Sequence, residues 1–157
     1  MSPRDQFERT VCACPECSRH CTTCPGMLIP GDLERMAEHL GIVPYGYLGA
    51  ALLASPGALV AKDGHLFRIQ TIVPAMRAGK CVFLERGRCK VHPVAPFGCA
   101  YFDSHMGAAE ADRRSATALA SIMVNRAYRS FWQQLWDAGQ RSLPPEQKRR
   151  DVCPAGK

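Results

Sequence analysis

Apolar residues recur three and four positions apart over Asp32–Leu40, where Leu33, Met36, Ala37 and Leu40 fall on one face. This spacing predicts an amphipathic helix. Pro30 and Asp32 suit its first turn and Gly41 its end. A second helix is predicted from Pro44 through Tyr45, Leu48 and Leu52, stopped by Ser55-Pro56-Gly57. Over residues 58–92 the pattern changes to short apolar runs separated by turn residues. Leu59-Val60-Ala61 and Leu66-Phe67-Arg68-Ile69 flank Lys62-Asp63-Gly64-His65, and Asp-Gly is a strong hairpin signal. Val82-Phe83-Leu84 and Cys89-Lys90-Val91-His92 flank Glu85-Arg86-Gly87-Arg88, a second predicted hairpin, with Cys81 opening it and Cys89 closing it. Residues 107–139 return to helical spacing, with Ala116, Leu119, Ala120, Met123, Tyr128, Phe131, Leu135 and Trp136 as core candidates and a break expected near Asn125. No internal repeat is visible.

These elements predict an α+β fold: a small, mostly helical single domain with one or two antiparallel hairpins and a cysteine-rich metal-binding loop. Residues 1–11 read as a polar lead-in, 12–142 as the domain and 143–157 as a mobile basic tail. Residues 12–26 are too rich in Cys, Pro and Thr for a regular helix.

The chain of 157 residues is long enough to bury one modest core. No apolar run approaches the ~20 residues of a membrane span. The opening Met1-Ser2-Pro3-Arg4-Asp5-Gln6-Phe7-Glu8-Arg9 has no apolar signal-peptide segment, so a cytoplasmic location is expected. That expectation governs the nine cysteines. In a reducing compartment, clustered cysteines bind metal or do chemistry more often than they form disulfides. The net charge of +6 is spread along the chain apart from Lys148-Arg149-Arg150, as a solvated basic surface rather than a nucleic-acid patch. A nucleic-acid partner is not expected, and no protein partner is indicated. There is no phosphate-binding glycine loop, nucleophile elbow or dinucleotide fingerprint, so catalysis without metal is not expected.

The cysteines fall into two blocks. Cys12, Cys14, Cys17, Cys21 and Cys24 form C-x-C-x-x-C-x-x-x-C-x-x-C, Cys81, Cys89 and Cys99 follow later, and Cys153 stands alone in the tail. Cysteines two or three residues apart in a loop can turn their sulfurs onto one point, the geometry of zinc knuckles and iron–sulfur sites. Cys14-x-x-Cys17-x-x-x-Cys21-x-x-Cys24-Pro25 has the gaps of a bacterial ferredoxin in a different order. Soft thiolates suit zinc and iron–sulfur clusters alike. In the second block, Pro96 and Gly98 would bend Cys99 back toward the hairpin. Three thiolates would then converge and leave a fourth position to Cys24, Cys12, His92 or another group. The metal ligands expected are Cys14, Cys17, Cys21, Cys24, Cys81, Cys89 and Cys99, with Cys12, His20 and His92 as secondary candidates.

The order of a dense N-terminal cysteine run, Pro30-Gly31-Asp32 before a helix, Cys81-Val82-Phe83-Leu84, Gly87-Arg88-Cys89-Lys90-Val91-His92 and Pro96-Phe97-Gly98-Cys99 resembles the zinc- or iron-chelating cysteine-cluster family of the YkgJ, or CxxCxxCC, type. The resemblance spans about residues 12–103 and is most specific in the second block. In the first block His20 stands where the family has its third cysteine, leaving Cys24 or His20 as the replacement. The resemblance implies metal binding. A related cysteine pattern in flagellin lysine methylase carries an enzymatic alternative: an iron–sulfur-dependent enzyme or electron carrier. A zinc-stabilised module binding nucleic acid or protein is the third reading. His92 and His105 read as ligands, acid–base groups or ordinary surface histidines, and His39 and His65 as surface residues. Asp103 and Ser104 read as helix caps, and Trp132 and Trp136 as core packing.

Overall fold

The computed structural model describes residues 1–10, 12–22, 25–42 and 45–142. The predicted tail, with Cys153, lies outside the described residues, as do Cys24 and Pro44. The described chain is a small α+β unit. Its elements are α1 (Pro3–Gln6), α2 (Pro15–Ser18), α3 (Asp32–Leu40), β1 (Leu52–Lys62), β2 (His65–Pro74), β3 (Met76–Arg77), β4 (Lys80–Cys81), β5 (Leu84–Glu85), β6 (Arg88–Cys89), α4 (Phe97–Ala100), α5 (Ala108–Met123) and α6 (Arg126–Asp137). The strands pair antiparallel in sequence order as three two-stranded sheets. No helix among the described residues is long and apolar enough to cross a membrane.

The first hairpin is longer than its apolar runs suggested. β1 pairs with β2 from Leu52↔Pro74 to Lys62↔His65, with an irregularity between Ser55 and Ala58. The expected helix from Pro44 to Leu52 is replaced by a 3₁₀ turn over Tyr45–Ala51, and the chain is already in a strand at Leu52. Pairing overrides the helical spacing here: the Ala75 N–H donates to the Ala51 carbonyl at 2.8 Å, and Leu52 lies opposite Pro74. Ser55-Pro56-Gly57 therefore ends no helix. It forms a bulge inside β1, where Gly57 has φ +103° and a Cβ would lie 1.9 Å from the Ile69 carbonyl oxygen.

The second hairpin is two. β3 and β4 pair through Met76↔Cys81, and β5 and β6 through Leu84↔Cys89. Cys81 and Cys89 are thus not side by side on paired strands. Each ends its own hairpin, eight residues apart in sequence. Both turns have two residues with positive φ, Ala78-Gly79 and Arg86-Gly87. That is the backbone of a two-residue turn matching strand twist. Met76–Phe83 and Leu84–Val91 form a structural repeat that the sequence conceals, because Ala78 is no turn signal.

The long helical stretch divides as expected: the Asn125 side chain accepts from the Tyr128 N–H at 2.9 Å and caps α6. α5 buries Ala118, Leu119 and Ile122, while α6 buries Tyr128, Phe131, Trp132 and Leu135. Ala116, Ala120 and Met123, expected in the core, are exposed. α5 meets β2 on one side and α1 on another, which rotates its inward stripe away from the predicted one. Trp132 and Trp136 stack with ring centres 4.9 Å apart, and Trp132 donates its indole N–H to the Ser55 carbonyl at 2.8 Å.

Two buried polar side chains fix the segment that follows the cysteine loop. Tyr128 donates its hydroxyl to the Leu28 carbonyl and accepts the Ile72 N–H, both at 2.7 Å. Asp32, fully buried at the start of α3, accepts from Arg4 Nε at 2.7 Å and from the backbone N–H groups of Ile29 and Phe97, each at 2.9 Å. One carboxylate thereby joins the N-terminal segment, α3 and the start of α4.

Candidate metal centre

The cysteine run is shaped by one short helix. Pro15 occupies the first position of α2, where a missing N–H costs nothing, and Cys14 precedes it as the capping residue. The Ser18 N–H returns to the Cys14 carbonyl at 2.9 Å. Cys14 and Cys17 are three residues apart across this turn and so share a side of it. Cys12 lies just upstream.

The fourth group arrives from the other end of the domain. After α4 the chain turns through Asp103-Ser104-His105, where the Asp103 carboxylate accepts the His105 backbone N–H at 2.9 Å. This turn presents His105 to the cysteine run, with Nε2 3.4 Å from Cys14 Sγ. Ser104 Oγ lies 3.0 Å from Cys17 Sγ, and the Ser104 N–H donates to the same sulfur at 3.4 Å. The ligand atoms of Cys12, Cys14, Cys17 and His105 all lie within 4.8 Å of one another, at the surface. Asp103 and Ser104 cap no helix, since α5 starts at Ala108 with Gly107 at its cap position.

The electrostatics of this cluster favour the charged thiolate at Cys14, while Cys12 beside it is raised. The backbone N–H of Cys17 first, then His105 and the Cys17 thiol, lower Cys14 to about 6. Its bond to Cys14 in turn raises His105. A metal bound here would meet at least one thiolate already formed near neutral pH.

The remaining described cysteines gather elsewhere. Cys21 sits in a 3₁₀ turn, Arg19–Thr22, packed against β4. Cys21, Cys81 and Cys89 belong to one apolar cluster. Cys99, on α4, accepts the Gly26 N–H at 3.1 Å. Burial pushes Cys99 up to about 12 and Cys81 up to about 11, and raises Cys21 and Cys89 as well. Cys81, Cys21 and Cys89 each add repulsion to an ionised Cys99.

Of the expected ligands, then, Cys14 and Cys17 share one cluster with Cys12 and His105, while Cys81, Cys21 and Cys89 pack in the main apolar core and Cys99 against a second apolar cluster. His92 is exposed and outside the Cys12, Cys14, Cys17 and His105 group, with its carbonyl accepting from Arg9. Cys24 and the side chain of His20 are outside the described residues. His105 received less weight in the sequence than its position warrants. Its signal was the Asp-x-His spacing, since an Asp two residues upstream builds a turn that aims the imidazole. Compared with protein-family models, curated proteins and solved structures, the chain gives no match.

Proposed function

We propose that this is a metal-binding protein holding zinc or an iron–sulfur cluster through clustered cysteine thiolates, with one centre at Cys12, Cys14, Cys17 and His105. The observation that carries this reading is the convergence of three sulfurs and an imidazole nitrogen within 4.8 Å. Three thiolates and one imidazole are a common structural zinc set, and Zn–S bonds of ≈ 2.3 Å place tetrahedral ligand atoms about 3.8 Å apart. The 3.4 Å between Cys14 Sγ and His105 Nε2 falls near that separation. A compact set of this size suits one ion better than a cluster, which holds its thiolates around a body of several atoms. Ser104 and Asp103 support the centre from behind, one beside the Cys17 sulfur and the other fixing the His105 turn. Membership of the YkgJ-type cysteine-cluster family, proposed from Cys81-Val82-Phe83-Leu84 and Gly87-Arg88-Cys89, agrees with a metal role.

The metal's work here is to hold α2 against the turn after α4, ninety-one residues apart at Cys14 and His105. Binding that exists only in the folded chain adds directly to its stability. Elemental analysis of anaerobically purified protein, with its absorption spectrum, tests the reading. Cys14→Ser and His105→Ala are each expected to lower metal content by one equivalent per chain. Unchanged metal content in both variants refutes the centre.

A further inference from the structure

We propose that Cys14 and Cys17 are a redox-active dithiol: hydrogen peroxide joins them in a reversible disulfide, which dismantles the surface centre. The disulfide stands on the placement of the two sulfurs alone; its effect on metal rests on the centre proposed above.

The backbone already sets the pair at bonding separation. Cys14 caps α2 and Cys17 is the third residue of that helix, and the Ser18 N–H closes the turn on the Cys14 carbonyl at 2.9 Å. Residues three apart on such a turn have Cα atoms about 5 Å apart, inside the ~4.4–6.8 Å that a disulfide spans. Their sulfurs lie within 4.8 Å of each other. Rotation of the two side chains therefore closes the bond, and α2 need not move. Cys12 is exposed as well, but it lies upstream of this turn. The turn is what selects Cys17 over Cys12 as the partner of Cys14.

One loop faces both sulfurs. Ser104 Oγ lies 3.0 Å from Cys17 Sγ, and His105 Nε2 lies 3.4 Å from Cys14 Sγ. Neighbouring residues thus each hold one thiol of the pair, near the surface and among polar groups. Thiols react in such settings and are inert when packed among apolar side chains. Cys21, Cys81 and Cys89 pack in the main apolar core, and Cys99 against a second apolar cluster. Oxidant therefore meets the Cys14–Cys17 pair before these four. Both members are free thiols in this structure, the reduced form of the pair.

The chemistry balances with hydrogen peroxide as the sole oxidant. One thiol of the pair attacks the O–O bond, forming a sulfenic acid and releasing one water. The second sulfur attacks the sulfenic sulfur, forming the S–S bond and releasing a second water. The two thiols lose two electrons and two protons, and the peroxide takes up both. A small dithiol returns the pair to thiols by exchange. The thiolate, not the disulfide, is the metal ligand. With Cys14 and Cys17 joined, only Cys12 and His105 remain of the group, short of the four ligands of a closed zinc site.

One molar equivalent of hydrogen peroxide, added to the reduced full chain in zinc-loaded and in metal-free form, is the probe. After alkylation of the remaining thiols, peptide mapping by mass spectrometry is expected to find Cys14 joined to Cys17, with Cys21, Cys81, Cys89 and Cys99 alkylated. Dithiothreitol should restore both thiols. Cys12→Ser should keep this disulfide, and Cys17→Ser should lose it. In the zinc-loaded chain, one equivalent of zinc per chain should be released in step with the disulfide, read with a colorimetric chelator. Oxidation that begins at any of the four apolar-packed cysteines, that pairs Cys12 in preference, or that leaves Cys14 and Cys17 as thiols overturns the proposal. So does a Cys14–Cys17 disulfide that forms with the zinc retained. A chain that takes up no zinc refutes the surface centre and the release with it, while mapping of the metal-free chain still decides the disulfide.

Discussion

Asp32→Ala tests how the fold holds the two cysteine blocks together. Asp32 is fully buried and its carboxylate takes three short bonds: Arg4 Nε at 2.7 Å, and the Ile29 and Phe97 N–H groups at 2.9 Å. Arg4 is 10 % exposed. Removing the carboxylate strands a nearly buried guanidinium that still donates to the Ala95 carbonyl, and leaves two backbone donors unpaired. Breaking a buried pair by deleting one partner costs about 3–5 kcal/mol, and an unsatisfied buried donor about 1–3 kcal/mol. Because water can enter the shortened site, the lower figures apply to the cation and to each of the two donors, and we expect a loss of about 5 kcal/mol. With a urea m-value of ~2 kcal/mol/M, the unfolding midpoint should fall by about 2.5 M at unchanged slope. Asp32→Asn, which keeps acceptors for the backbone but faces Arg4 with no charge, should fall between Asp32→Ala and wild type. Adding Arg4→Met to Asp32→Ala should recover part of the loss, since it removes the stranded cation. A midpoint shift below about 0.5 M for Asp32→Ala, with unchanged slope, refutes the account of this carboxylate as the junction.

Two further outcomes follow from buried groups. Tyr128→Phe removes the acceptor of the Ile72 N–H and the donor to the Leu28 carbonyl, and is expected to cost about 1–3 kcal/mol in urea unfolding with little change of fold by circular dichroism; a loss under about 0.5 kcal/mol would show that neither bond matters. In metal-free, reduced protein, burial holds Cys99 at about 12 and Cys81 at about 11, above the 9.0 of a free thiol, so the unfolded chain ionises first. Stability is therefore intact below about pH 9 and is lost as pH rises toward 12. Urea midpoints should fall from about pH 8 to about pH 10, and fall less in Cys99→Ala; equal slopes in the two proteins would contradict this.

Much of the architecture was legible along the chain because it is local. α3 reads directly from Leu33, Met36 and Ala37 on one face, the Asp63-Gly64 turn from its residue pair, and the α5–α6 break from Asn125. The cysteine spacing likewise pointed to a group that could hold a metal, and the structure brings Cys12, Cys14 and Cys17 together. What the chain could not disclose is set by contacts distant in sequence. The 3₁₀ turn and long β1 replace a predicted helix because Ala51 and Leu52 meet Pro74 and Ala75. Cys81 and Cys89 separate into two hairpins because Ala78 takes a left-handed conformation that its side chain does not advertise, adding a hairpin before the one predicted at Arg86-Gly87. The sorting of the cysteines is the most tertiary feature of all. Spacing groups Cys21 with Cys17, yet the turn between them sends Cys17 toward Ser104 and Cys21 toward β4. Sulfur chemistry is carried by the residue type and so is visible in the sequence. Which sulfurs meet depends on how the loop docks against α4 and the hairpins, and only the folded chain determines that.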